Sequence, residues 1–190
     1  MKERFSLIVA FDKNRIIGKA GSAQLLWHFK EDLKFFQKKT LGQVVIMGSS
    51  TFWSLPKVAR PLRGRANLVL THSNKASVLQ EAANVHKSDN QTSLFVGNLD
   101  EILNHVKSLQ IDNQKEVFVI GGASVYELFL DKGLIDTIYV TRIEKDFSLE
   151  AGNEAVYFPS FSRGFRKTDD YIITEEEVVL HFEKWILSQP

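Results

Sequence analysis

Among the residues able to do chemistry, Asp32 is marked out by its neighbours. It falls in Phe29-Lys-Glu-Asp-Leu-Lys-Phe-Phe36, a stretch with helical periodicity. At ~100° per residue, Phe29, Asp32, Leu33 and Phe36 share one face of a helix, while Lys30, Glu31, Lys34, Gln37 and Lys38 share the other. An acid among apolar side chains is desolvated and needs a partner to hold its place. A ligand with adjacent N–H donors would be such a partner. The same spacing also fits an ordinary first-turn acid, which the helix dipole favours.

Two further segments have the form strand, glycine, helix start. One is Val45-Ile-Met-Gly-Ser-Ser-Thr-Phe52; the other is Val117-Phe-Val-Ile-Gly-Gly-Ala-Ser-Val-Tyr126. Glycine admits close backbone approach, and the free N–H groups of a helix start attract phosphate. Neither has the three spaced glycines of the dinucleotide fingerprint, so each alone also reads as an ordinary strand-to-helix turn. Together they suggest two anion-accepting helix starts at one sheet edge, as a dinucleotide requires.

Lys57, Arg60, Arg63 and Arg65 crowd a Pro-containing stretch. They are either a carboxylate clamp or a solvated loop. His28, His72, His86, His105 and His181 are scattered without metal-ligand spacing, so no metal is expected.

Elements must position these residues. Apolar, β-rich runs at Phe5–Phe11, Gln43–Met47, Asn67–Leu70, Leu94–Val96, Val117–Ile120 and Thr137–Ile143 predict strands. Helical patterns fall at Phe29–Lys39, Thr51–Leu55, Leu99–Leu109 and Ala123–Leu130. Runs apolar at consecutive positions suit a sheet covered on both faces. The expectation is an α/β fold: a mainly parallel central sheet with helices on both faces, and a C-terminal antiparallel hairpin from Phe165–Thr174 and Glu177–Leu187. Lys19–Leu26, Pro56–Gly64, Ser73–Thr92 and Ser148–Ser162 are expected to be irregular.

At 190 residues, 44% hydrophobic and 25% charged, the chain fits one domain, residues 1–190. It has no cysteine, which excludes disulfides and thiolate chemistry. A net charge of +1 gives no reason to expect nucleic acid. The basic start Met1-Lys-Glu-Arg precedes a run too short for a signal peptide, and no ~20-residue apolar span occurs. No membrane association and a cytoplasmic location are expected.

These pieces, in this order, resemble dihydrofolate reductase. The matching residues are Ser6-Leu-Ile-Val-Ala10, Asn14-Arg-Ile-Ile-Gly18 and Leu26-Trp-His-Phe-Lys-Glu-Asp-Leu-Lys-Phe-Phe36. They continue through Val45-Ile-Met-Gly48, Thr51, Pro61-Leu-Arg-Gly-Arg-Ala-Asn67 and Leu70-Thr-His72. Val119-Ile-Gly-Gly-Ala-Ser-Val-Tyr126, Ile138-Tyr-Val-Thr141 and Phe158-Pro159 close the series. The resemblance implies reduction of 7,8-dihydrofolate to tetrahydrofolate with NADPH, in a monomer that antifolates inhibit. Asp32 resembles the acid that holds the pterin and supports its protonation. Thr141 resembles the hydroxyl beside that acid, and Trp27 the aromatic that bounds the site and helps hold a water. Ile8, Val9, Ala10, Leu33, Phe36, Leu55 and Ile120 match substrate walls, and Arg65 matches the clamp on the glutamate α-carboxylate. Ala10, Ile17, Gly18 and Ile120 match the nicotinamide end. Gly48, Ser49, Ser50 and Thr51, with Leu70, Thr71 and His72, match cofactor contacts along the first junction. Gly121, Gly122, Ala123, Ser124, Val125 and Tyr126 match the second. The family's paired glycines carry a non-proline cis peptide.

Four departures accompany the resemblance. Leu26 stands where the family usually has proline, and the segment from Gly18 to Trp27 is about two residues longer than usual. Ser49-Ser50 replaces a basic pair that favours the NADPH 2′-phosphate. Glu154-Ala-Val156 replaces the usual Gly-Asp-[Thr/Ser] before Phe158-Pro159, where partner-loop hydrogen bonds are made. The alternatives to a dihydrofolate reductase are a pyrimidine reductase of riboflavin synthesis and a non-catalytic folate- or partner-binding member.

Overall fold

The computed structural model describes residues 5–22, 25–83, 91–113 and 115–188. In chain order the elements are β1 (Phe5–Asp12), β2 (Ile16–Lys19), α1 (Lys30–Thr40), β3 (Val44–Gly48), α2 (Ser49–Ser54) and β4 (Ala66–Leu70). Then come α3 (Lys75–Ala83), β5 (Ser93–Gly97), α4 (Leu99–Asn113), β6 (Val117–Gly121) and α5 (Ala123–Asp131). The chain closes with β7 (Ile135–Ile143), α6 (Ser148–Ala151), β8 (Ala155–Tyr157), β9 (Phe165–Glu175) and β10 (Val178–Leu187).

Eight strands form one sheet in the order β5-β4-β3-β6-β1-β7-β10-β9. The pairs from β5 to β7 are parallel; β10 runs antiparallel to both β7 and β9. Strand alternation explains the two cores. Val44 and Ile46 point to one face with Leu7, Val9 and Val119, covered by Ile102 and Val106 of α4 and Phe129 of α5. Val45 and Met47 point to the other, with Ile8 and Phe118, covered by Phe52 of α2 and Val78 of α3. A strand buried on both faces must be apolar throughout, as Val44–Met47 is.

The expected strands, helices and hairpin are present within one or two residues, except that α4 runs on to Asn113. Besides a single 3-10 turn at Lys57–Ala59 within Pro56–Gly64, two expected irregular regions contain elements. The Ser73–Thr92 stretch holds α3, anchored by the buried Val78 alone among its described side chains. The Ser148–Ser162 stretch holds α6 and β8. Both are too short or too weakly patterned to show a clear period. No helix of the described residues is long and apolar enough to cross a membrane. The basic start Met1–Arg4, His86 and residues 23–24 of the segment before Trp27 lie outside the described residues.

Candidate active site

Parallel strands bring their carboxyl ends to one edge, and Ala10, Gly48, Leu70, Gly121 and Thr141 lie there, whereas Arg65 lies at the amino end of β4. Ala10 pairs with Thr141 across β1 and β7, Gly48 with Leu70 across β3 and β4, and Met47 with Gly121 across β3 and β6. Helix α1 starts near this edge, where Asp32 meets Thr141, and ends at Thr40 beside Arg65, at the amino end of β4. Its stripe of Phe29, Asp32, Phe36 and Thr40 turns toward the site, with Leu33 beside it.

Asp32 is 8% exposed, and no basic side chain pairs with it among the described residues. Burial pushes its carboxyl from the ordinary 3.8 up to about 6; Thr141 and Trp27 pull it down, and the Glu175 carboxylate raises it further. The Trp27 ring is buried against Phe147 at 5.2 Å; its Nε1–H faces the Asp32 carboxylate closely enough to lower that carboxyl's pKa but outside direct hydrogen-bond geometry. A buried N–H without a protein partner normally serves a water or a ligand. The stripe itself opens to solvent: Leu33 is 50% exposed and Phe36 half-buried. The helix instead seats Phe35 against Phe182 and Tyr139, at ring separations of 5.0 and 6.3 Å. Periodicity grouped Phe29, Asp32, Leu33 and Phe36 on one face, of which Phe29 and Asp32 are buried and Leu33 is exposed, and it did not identify Phe35 as the packing contact.

At the far end of the stripe, Arg65 is 6% exposed. Its Nε donates to the Thr40 hydroxyl at 2.9 Å, Nη1 donates to the Arg63 carbonyl at 2.8 Å, and the guanidinium lies 5.7 Å from the Phe36 ring centre. Burial lowers its pKa, and no carboxylate pairs with it among the described residues. Asn67 holds the turn that carries it. The Asn67 Oδ1 accepts from Leu62 N, and its Nδ2 donates to the Leu62, Arg65 and Ser93 carbonyls. The rest of the basic cluster is elsewhere: Arg60 bonds Glu81 and the Trp53 carbonyl, while Lys57 and Arg63 are exposed.

The two glycine junctions meet. Gly121-Gly122 is a cis peptide, as the resemblance implied. A Cβ on Gly121 would stand 3.3 Å from the Tyr126 hydroxyl and 3.4 Å from Thr51 Oγ1; on Gly122 it would stand 3.2 Å from Thr51 Oγ1, and on Gly48 3.1 Å from Val125. Only glycine lets these segments approach so closely. Ser49 and Ala123 are half-buried, Ser50 and Ser124 are exposed, and His72 is exposed at the end of β4. Thr71 accepts from Asn74 N. The Tyr126 hydroxyl is committed, donating to the Ile8 carbonyl at 2.9 Å. Ala10, Ile17, Gly18, Leu55 and Ile120 are half-buried, whereas Val9 is turned into the core.

The departure at Glu154-Ala-Val156 is bridged by backbone. β2 pairs antiparallel with β8, Ala20 N donates to the Glu154 carbonyl, and Phe158 N donates to Arg15. Buried Asp12, which sequence reasoning did not single out, secures the same region: its carboxylate accepts from Asn14 N, Ile16 N and Phe147 N. Glu175 was also missed. Its carboxylate accepts from Lys30 N at 2.8 Å and Glu31 N at 3.0 Å. Of the histidines, His181 comes together with Asp170 and Glu183, but Arg142 and Lys167 already pair with Glu183.

A family model described as dihydrofolate reductase matches residues 4–185. The chain is 31% identical to dihydrofolate reductase type 9 of Escherichia coli over 187 residues, 97% of this chain and 94% of that protein. It is 34% identical to a dihydrofolate reductase of Bacillus subtilis (strain 168) over 157 residues, 82% of this chain and 76% of that protein. The dihydrofolate reductase of Drosophila melanogaster is 29% identical over 198 residues, 98% of each chain.

Proposed function

The chain belongs to the dihydrofolate reductase family, and from that premise we propose that it reduces 7,8-dihydrofolate to 5,6,7,8-tetrahydrofolate with NADPH. The observation that carries this reading is the α1 stripe. A buried carboxylate, Asp32, stands at one end and a buried guanidinium without a carboxylate, Arg65, at the other. Eight residues of helix separate Asp32 from Thr40, which holds Arg65, and at 1.5 Å per residue that is about 12 Å. A ligand with N–H donors at one end, an aromatic middle and a terminal carboxylate matches this order, and dihydrofolate has all three.

In this reading the Asp32 carboxylate accepts from the pterin amino and ring N–H groups and supports protonation of the ring nitrogen beside the accepting carbon. Its raised pKa keeps a proton within reach near neutral pH. Trp27 Nε1 and the Thr141 hydroxyl order the water through which that proton moves. Leu33, Phe36, Leu55, Ile8, Ala10 and Ile120 wall off solvent, and Arg65 holds the glutamate α-carboxylate bidentately. Val9 supports this wall from the core side.

The strand-edge residues fit a dinucleotide. The glycine junctions bring two helix starts close together, and α5 offers N–H groups without a side-chain cap at its start, as a pyrophosphate would use. Gly48, Ser49, Ser50, Thr51, Leu70, Thr71 and His72 would hold one part of NADPH, and Gly121, Gly122, Ala123, Ser124 and Val125 another. Ala10, Ile17 and Gly18 would flank the nicotinamide, and Tyr126 would brace the site through Ile8. Bound NADPH supplies the hydride. We place this enzyme in the cytoplasm as a one-domain monomer sensitive to antifolates. Absorbance at 340 nm, followed with NADPH plus dihydrofolate, should fall, and an antifolate should stop the fall. No decline with either nicotinamide cofactor would refute the reading.

A further inference from the structure

Helix α1 starts without a cap of its own. Phe29 occupies the cap position and has no side-chain oxygen to offer, so the first N–H groups need a partner from elsewhere. That partner comes from the far end of the chain. The Glu175 carboxylate, at the last residue of β9, accepts from Lys30 N and Glu31 N, 145 and 144 residues away. The following turn, Glu176-Glu177, has φ of 51° and 63°, which folds the hairpin back and presents Glu175 to the helix. The next residue in the helix after those two is Asp32.

We infer that Glu175 is a positioning residue for the Asp32 carboxyl: it pins the first turn of α1 and sets a negative charge at the helix start. This rests on the function proposed above. An uncapped helix start carries about half a positive charge, which favours an ionised acid in the first turn. Glu175 cancels that field where Asp32 sits. Its effect on Asp32 is to raise the pKa, in the same direction as burial. The backbone bonds of Lys30 and Glu31 hold Glu175 itself ionised, and Lys30 and Lys34 add to this. The remaining titratable group that acts on Asp32 among the described residues is Tyr126 of α5, kept protonated by burial. No other acid among the described residues both bonds the backbone of α1 and acts on Asp32. The hairpin thus serves the site as well as the sheet.

The test compares Glu175→Gln, which keeps an acceptor but loses the charge, with Glu175→Asp, which keeps the charge. Asp32 is titrated in the free protein by carboxyl ¹³C NMR, assigned with Asp32→Asn. In Glu175→Gln the Asp32 midpoint should move to lower pH. Turnover near neutral pH should fall about two- to fivefold, with a smaller loss at acid pH and KM for dihydrofolate within about twofold. Glu175→Asp should restore the profile. An unmoved midpoint in Glu175→Gln, or a loss equal at every pH, would overturn the inference. Amide exchange separates a frayed helix from an altered field: Glu175→Gln keeps one of the two acceptor oxygens, so faster exchange is expected at one of Lys30 and Glu31, whereas fast exchange running on through Lys34 and Phe35 would mark the effect as an unwound helix and also overturn it. If the wild-type protein does not reduce dihydrofolate, the function fails, but the NMR midpoint still decides the role of Glu175.

Discussion

The Nε of Arg65 donates to the Thr40 hydroxyl across 2.9 Å, which fastens a loop cation to the last turn of the helix that carries Asp32. The distance between Asp32 and Arg65, the two ends of the proposed substrate site, is therefore set by a helix rather than by loop conformation. A site of this kind would select ligands by length as well as by charge.

Asp32→Asn should lower turnover about 10²- to 10⁴-fold at neutral pH, in line with loss of a proton-transfer group. The deficit should shrink at low pH, where dihydrofolate is itself protonated in solution. Near-normal turnover at pH 7 would remove Asp32 from its proposed role.

The same substitution should stabilise the free protein at alkaline pH. Asp32 titrates at about 6 in the fold and near 3.8 when unfolded. Between these values the folded state binds more protons, so stability is lost as pH rises through that window. The rise corresponds to roughly 3 kcal/mol at most. Melting of Asp32→Asn should exceed wild type by a few degrees at pH 8 and converge with it below pH 3.8. Equal offsets at both pH values would contradict the assignment.

Arg65→Leu should raise KM for dihydrofolate roughly 30-fold or more, the ~2 kcal/mol or more of a lost buried charge pair, with kcat changed much less. A pterin substrate without the glutamate should be indifferent to the substitution. If both substrates lose equally, Arg65 supports the fold rather than clamping the carboxylate.

Ser49 and Ser50 bring no positive charge to the first glycine junction. The NADPH-over-NADH ratio of kcat/KM should accordingly be modest, and Ser50→Arg should widen it at least several-fold, chiefly through KM for NADPH. Salt should erode the gain. A steep wild-type ratio would show that other contacts, His72 among them, read the 2′-phosphate.

Gly121→Ala should be costly, about 1–3 kcal/mol. Its φ of 129° suits glycine alone, and the new Cβ would press on Tyr126 and Thr51. Equilibrium denaturation would measure the loss, and NADPH affinity should drop with it. Unchanged stability would mean that the junction is looser than drawn.

Much of this architecture was legible in local pattern. Continuous apolar runs such as Val44–Met47 and Val117–Ile120 implied a sheet buried on both faces, because such strands have no solvated side to carry polar residues. Periodicity put Asp32 on an apolar stripe, and the ordered motifs around it pointed to the family. The segments that escaped were those with too little pattern: α3, held by Val78, and the short β2 and β8, whose pairing is made by backbone atoms that carry no side-chain signature.

What the sequence by itself determined was the set of parts: the acid, the glycine junctions, the arginine and the strands that end beneath them. Only the tertiary structure decided which of them act together. The resemblance already set Arg65 apart from Arg60 and Lys57; the structure supplied the physical reason, since Thr40 and Asn67 hold one turn while Glu81 draws off another. It also brought Glu175 to the start of α1 across 144 residues. Local propensity extends over a few turns, whereas a contact of that separation exists only once the sheet has assembled and placed its last hairpin beside its first helix.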